Sequence, residues 1–175
     1  TGVQTCALPI YRLDHILPLI KKYDASIIAL PNDETEIPMT VEDRIKITEK
    51  ILRACDKHGI AHDRIVIDPL AMPIGAEPQA GNLFFETVYQ IKERWGLNMT
   101  CGASNVSFGM PNRHAINAAF LPAAMAVGLT SAIMDARTPE IVSAVRATDV
   151  LLGHDMYGGN WITRFRAMEA AKAQN

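Results

Sequence analysis

The sequence predicts an α/β fold and, more narrowly, the C-terminal half of a TIM (β/α)8 barrel, about four βα units with the N-terminal part truncated. Three observations lead there. Short apolar β-branched runs alternate with longer segments of helical period, which is the pattern of successive βα units on a parallel sheet. Glycines stand where four of the helices have to stop. A polar residue closes each strand, and in a barrel such residues meet at one mouth.

The strands are predicted at 25–30, 64–68, 99–103 and 131–135. Helical period covers 12–22, 41–58, 83–95, 112–127 and 139–152, with a last helix near 161–173. Thr40 followed by Asp43 forms a capping-box-like start, and Thr138 before Pro139 and Glu140 places a cap, a proline in the first turn and an acid at the positive end of the helix dipole. Gly59, Gly96, Gly128 and Gly153 are placed to end helices in a left-handed residue, and Ile60, Leu97 and Leu129 follow three of them as the apolar residue that folds back over the last turn.

The first ten residues stand apart. Thr1-Gly2-Val3-Gln4-Thr5-Cys6-Ala7-Leu8-Pro9-Ile10 resembles one translated frame of a short-read sequencing adaptor, so residues 1–10 are read as an artefact and residues 11–175 as a partial barrel domain. An accidental peptide has no reason to match the period of a core, and no strand is expected in it.

Composition bounds the function. The chain of 175 residues is 49% hydrophobic and 21% charged, in the range of a globular protein with a real core. Seventeen basic against nineteen acidic residues leave a net charge of −2, which offers no electrostatic footprint for nucleic acid or an anionic membrane. No apolar run approaches the roughly 18 residues of a bilayer span, and a cytoplasmic protein is expected. Cys6, Cys55 and Cys101 show no CxxC spacing and are read as free thiols, and the five histidines have no ligand spacing, so no metal is expected.

Four strand ends supply the candidate site: Asp33 with Glu34, Asp68, Asn105 and Asp135. The strongest local signal is Cys101-Gly102-Ala103-Ser104-Asn105-Val106-Ser107-Phe108-Gly109-Met110-Pro111-Asn112-Arg113, leading from the third strand into a helix. A carboxamide offers both donor and acceptor, so Asn105 can follow a ring nitrogen through a change of protonation without charging itself. The alternative is that Ser104 and Asn105 only shape a turn and cap the next helix. Asp68 closes the run Ile65-Val66-Ile67, and a carboxylate there needs partners, either loop amides, a neighbouring lysine or a paired donor on a ligand. Asp33 lies equally well at a mouth or in a solvated turn, and Asp135 reads more simply as a helix-entry residue.

Four stretches, in order, carry a family resemblance over residues 11–175: Ile27-Ile28-Ala29-Leu30 through Asp33-Glu34-Thr35-Glu36-Ile37-Pro38, Ile67-Asp68-Pro69-Leu70, Gly102 to Ser107, and Gly128-Leu129-Thr130-Ser131-Ala132-Ile133-Met134-Asp135-Ala136. They resemble the methyltetrahydrofolate:corrinoid methyltransferases, relatives of the folate domain of cobalamin-dependent methionine synthase and, more distantly, of dihydropteroate synthase. The resemblance implies methyltetrahydrofolate as substrate, a corrinoid (cobalamin) carried by a partner protein, no metal bound by this chain, and a homodimer for the full-length protein. It implies that Asp68 binds the pterin edge and that Asn105 hydrogen-bonds near N5 and activates the methyl donor. Gly102, Ser104, Arg113, Asp33 and Asp135 follow as further pterin-side positions. An aspartate and an asparagine on earlier strands of the family have no counterpart in this sequence, and Phe108 stands where some relatives carry a polar residue. A non-catalytic pterin-binding subunit and a dihydropteroate-synthase-like enzyme are the alternatives. The second is disfavoured because residues 104–109 contain no lysine.

Overall fold

The structure is a computed structural model that describes residues 7–8, 13–32 and 37–173. Its elements run β1 Ala7–Leu8, α1 Leu13–Tyr23, β2 Ile27–Ala29, α2 Val41–Lys57, β3 Ile65–Ile67, α3 Ala80–Trp95, β4 Asn98–Met99, α4 Arg113–Ala126, α5 Pro139–Leu151 and α6 Gly159–Lys172. Short 3-10 turns occupy His62–Arg64, Ala103–Asn105 and Met156–Gly158. The sheet is parallel in the order β1-β2-β3-β4, with Ile27 beside Ile65, and Ile67 beside Met99. Parallel neighbours need crossovers, and α2 and α3 supply them between β2, β3 and β4.

Burial alternates along each strand. Ile27, Ala29, Ile65, Ile67, Met99 and Cys101 are fully buried and pack into one cluster with Leu17, Ile51, Phe84, Val88 and Ile91 from the helices. Ile28 and Val66 point to the opposite face and are half-buried. Successive helices touch in the order α1, α2, α3, α4, α5. Phe84, Phe85 and Phe120 fill the seam between α3 and α4, with ring centroids 5.0 to 6.1 Å apart.

Local chemistry explains where the helices begin and end. The Thr40 hydroxyl accepts from the Asp43 N–H at 3.2 Å and opens α2 as expected. Past the other end, Gly59 adopts φ +65, which lets its N–H reach Asp56 O and the Ile60 N–H reach Cys55 O. That is the paired closure of a Schellman motif, and Gly128 and Gly153 close α4 and α5 in the same way. Thr138 occupies the N-cap position of α5, with Pro139 and Glu140 in the first turn, but its side chain makes no capping bond. Helix α3 starts three residues before the predicted boundary, because Gly81 and Asn82 hide a turn that begins at Ala80.

Two expectations need correction. Ala7–Leu8 pairs in parallel with β2, Ala7 beside Ile28 and Leu8 beside Ala29, where no strand was expected within residues 1–10. An unpaired edge of β2 presents a row of free backbone groups, and any extended segment that reaches it can dock there whatever its side chains. The predicted strand at 131–135 is reduced to a bridge between Gly102 and Ile133. Its inner edge is nonetheless laddered: the Ser131 and Ile133 N–H groups donate to Met99 O and Cys101 O, and the Ala103 N–H donates to Ile133 O. The outer edge has no partner among the described residues, and Ile133 is 64% exposed.

Candidate functional site

Asp68 follows β3 directly, and its N–H continues the ladder to Ala29 O at 2.9 Å. By strand alternation its side chain shares the face of Val66, opposite the helix-packed Ile67. One carboxylate oxygen, Oδ1, accepts from the Leu70 N–H at 2.9 Å. That bond closes an Asx-type turn through Pro69, with Leu70 at φ +64 in the left-handed region. No described residue hydrogen-bonds to Oδ2. Burial pushes the Asp68 carboxyl above its ordinary range, opposed by the Leu70 N–H and the charge of Arg44.

Arg44 was not singled out by sequence reasoning. It lies on the buried stripe of α2, completely enclosed, and spends its guanidinium on carbonyls. Nε donates to Pro38 O at 3.0 Å, while Nη1 donates to Pro69 O at 2.7 Å and Leu70 O at 3.1 Å. Nη2 is buried with no partner among the described residues. Burial lowers its pKa to about 10, and Asp68 works against that shift. The signal was present in the sequence, since Arg44, Thr48, Ile51 and Cys55 fall on one helical face and only the arginine breaks its small or apolar character.

Asn105 ends the 3-10 turn that follows β4, on the same carboxyl side of the sheet as Asp68. Its side chain is exposed, and the carboxamide has no hydrogen-bond partner among the described residues. Gly102 lies directly beneath it: a Cβ on Gly102 would sit 3.0 Å from Asn105 Nδ2. Ser104 and Arg113 serve the turn from behind. Arg113 donates from Nη2 to Ser104 O at 2.6 Å and from Nε to the Ser107 hydroxyl at 3.1 Å. Its guanidinium also stacks over the Phe108 ring at 5.8 Å. Asn117, one turn along α4, is buried and reaches the Ser104 hydroxyl at 3.4 Å. The loops after β3 and β4 are joined by the Ile74 N–H to Val106 O at 3.0 Å, and Gly75 packs near the Met110 sulfur.

The structure therefore gathers Gly102, Ser104 and Asn105 at the turn after β4, on the same carboxyl side of the sheet as the Asp68 turn, with Arg113 at the start of α4. Arg113 supports the loop from behind, as a brace for Ser104 and Ser107. Asp135 is exposed and held by Arg137 at 2.9 and 3.0 Å, bonds that bring its carboxyl down to about 2. Asp33 and Glu34 lie outside the described residues. Cys55 and Cys101 are buried free thiols, and burial raises them to about 11 and 12, with the charges of Asp56 and Asp68 adding to the effect. Among the described residues no three His, Cys, Asp or Glu side chains cluster to hold a metal, and no helix is long and apolar enough to cross a membrane. The larger concavities are lined by none of Asp68, Gly102, Ser104, Asn105 and Arg113. One of about 650 Å³ is lined by Lys92, Leu121, Met125 and Val145, and one of about 620 Å³ by Arg146, Trp161 and Phe165.

A half-buried carboxylate with one free oxygen, beside an unengaged carboxamide, is suited to a neutral heterocycle that carries adjacent N–H donors. The profile of a family described as pterin binding enzyme matches residues 10–135. The chain belongs to the pterin binding enzyme family. Among its relatives, the chain is 34% identical over 158 residues to the methylcorrinoid:tetrahydrofolate methyltransferase of Eubacterium limosum, covering 89% of this chain and 58% of that protein. It is 29% identical over 136 residues to the methionine synthase of Mycobacterium leprae (strain TN), covering 73% of this chain and 11% of that one. A dihydropteroate synthase from Coxiella burnetii, solved with pteroic acid, superposes with a TM-score of 0.61 at 19% identity, over 79% of this chain and 57% of the other. That likeness concerns the fold. The chain thus spans little more than half the length of the methyltransferase it resembles.

Proposed function

We propose that this chain is part of a methyltransferase that moves a methyl group between 5-methyltetrahydrofolate and the cobalt of a corrinoid protein. The observation that carries the reading is the placement, at the carboxyl ends of adjacent strands β3 and β4, of an Asp68 oxygen and an Asn105 carboxamide that have no hydrogen-bond partner among the described residues. The chain covers 58% of the length of the Eubacterium limosum relative, which supports reading it as a portion of such a pterin-binding barrel.

Asp68 accepts from the 2-amino group and the adjacent ring N–H of the pterin, a donor pair that matches a carboxylate. Its environment already disfavours the charge, so a ligand that brings donors to Oδ2 relieves an existing penalty. Asn105 faces N5. In the direction away from folate, cobalt(I) supplies the electron pair of the new Co–CH3 bond, the N5–CH3 bond breaks with its pair left on nitrogen, and N5 takes up a proton. A tertiary amine leaves poorly, so positive charge on N5 has to be supported as the methyl departs. A carboxamide does this by turning its acceptor oxygen to the protonated nitrogen, without becoming charged itself. The corrinoid protein is the second substrate and brings its own metal.

Equilibrium binding of 5-methyltetrahydrofolate to the complete gene product and to its Asp68→Asn variant tests the reading. Losing the charged acceptor, and facing an amide N–H towards the pterin donors, should weaken binding by the equivalent of roughly 1.5 to 3 kcal/mol, about 10- to 150-fold. Equal affinities would contradict it.

A further inference from the structure

We propose that Arg44 is the positioning residue of the Asp68 carboxylate, holding it ionised and turned so that Oδ2 faces the ligand. The inference rests on the pterin reading of Asp68. It begins from an anomaly: a guanidinium enclosed completely by the protein with, among the described residues, no carboxylate hydrogen-bonded to it and no partner for Nη2. Burying such a charge is costly, and stability alone favours an apolar residue of similar volume at that place on α2. The three carbonyls it holds are not scattered. Pro69 and Leu70 form the turn whose N–H binds Asp68 Oδ1, and Pro38 belongs to the segment that leads from β2 into α2.

Arg44 therefore clamps the Asp68 turn to the neighbouring strand connection. Leu70 at φ +64 is a conformation that a leucine does not keep unaided, and Nη1 bridging Pro69 O and Leu70 O keeps it there. With the turn fixed, the Leu70 N–H occupies Oδ1 and leaves Oδ2 as the free acceptor. Among the described residues, the ionisable groups that act on or feel Asp68 are Arg44 from α2 and Cys101 from the segment after β4. The thiol, raised to about 12, stays neutral, so Arg44 supplies the favourable charge. A lysine in its place keeps a positive charge but presents a single point of donors, and cannot span carbonyls on two segments in a fixed plane.

The test measures 5-methyltetrahydrofolate affinity against pH for the complete gene product, Arg44→Lys and Asp68→Asn, together with the transfer rate at saturation. Arg44→Lys should move the acidic limb of binding to higher pH and weaken binding at neutral pH roughly 2- to 10-fold, the equivalent of one misaligned hydrogen bond, with the saturated rate unchanged. A structural role alone lowers thermal stability and leaves the limb in place. If Arg44→Lys keeps the wild-type limb and affinity while Asp68→Asn loses binding, the proposal is wrong and the pterin reading stands. If Asp68→Asn binds as the wild type does, both fail. Should Arg44→Lys not fold, a carbon-13 titration of the Asp68 carboxyl in the wild type decides: it must be ionised at neutral pH, and a protonated carboxyl there overturns the proposal.

Discussion

Replacing Gly102 with alanine separates what the Asn105 turn does for stability from what it does for the reaction. The backbone at Gly102 has φ −71 and ψ 83, a conformation open to any L-residue, so alanine introduces no backbone strain. Fewer unfolded conformations then stabilise the protein by about 0.4 to 1 kcal/mol. The three atoms nearest the new methyl all belong to the Asn105 side chain, with Nδ2 at 3.0 Å, Cγ at 3.4 Å and Oδ1 at 3.6 Å. Because that side chain is exposed and unbonded, it yields by a few tenths of an ångström and little stability is lost. A carboxamide displaced by that amount meets N5 with a misaligned hydrogen bond, worth about 0.5 to 1.5 kcal/mol or roughly 2- to 10-fold in rate. Urea unfolding and methyl-transfer kinetics on the same preparation provide the assay. The expected pair is an unfolding midpoint equal to or above the wild type and a transfer rate lowered several-fold. A wild-type rate at full stability would refute the placement of Asn105 at the reacting nitrogen.

Two further outcomes follow from the same geometry. Because the folded protein raises the Asp68 pKa, the stability linked to protonating it is fully present below the unfolded value near 3.8 and lost as pH rises through the folded value. Asp68→Asn should therefore melt higher than the wild type at neutral pH, with the gap closing as pH falls through that window; thermal melts across pH check both the sign and the window. Thr40→Ala removes the acceptor for the Asp43 N–H and should destabilise the protein by about 1 kcal/mol in urea titration, with pterin affinity unchanged.

The helices and the strand-end residues were legible because their signals are local. Thr40 and Gly59 bracket α2 by hydrogen bonds that close within a few residues of sequence, and the structure forms those bonds. The strand limits were harder, since β-pairing depends on what lies alongside. Residues 131–135 have strand composition, yet only their inner edge finds partners and one bridge survives. Ala7–Leu8 carries no such signal and pairs because β2 offers an edge. Around the site, Asp68 and Asn105 stood out as polar groups ending apolar runs. Arg44 and Asn117 did not, because their partners are backbone carbonyls and a hydroxyl brought near only by the fold. Arg113, offered by the family resemblance as a pterin-side position, also braces Ser104 and Ser107 through its guanidinium, contacts that no local pattern announced.

Asn105→Ala in the complete gene product tests the central claim most directly, with dissociation constants for 5-methyltetrahydrofolate measured beside single-turnover rates of methyl transfer to the corrinoid protein. If the carboxamide supports charge that grows at N5 as the methyl leaves, its removal lowers the transfer rate by more than it weakens binding, because the lost bonds are stronger in the transition state than in the bound substrate. A variant that binds more weakly but transfers methyl at the wild-type rate would reduce Asn105 to a ligand contact and contradict the account.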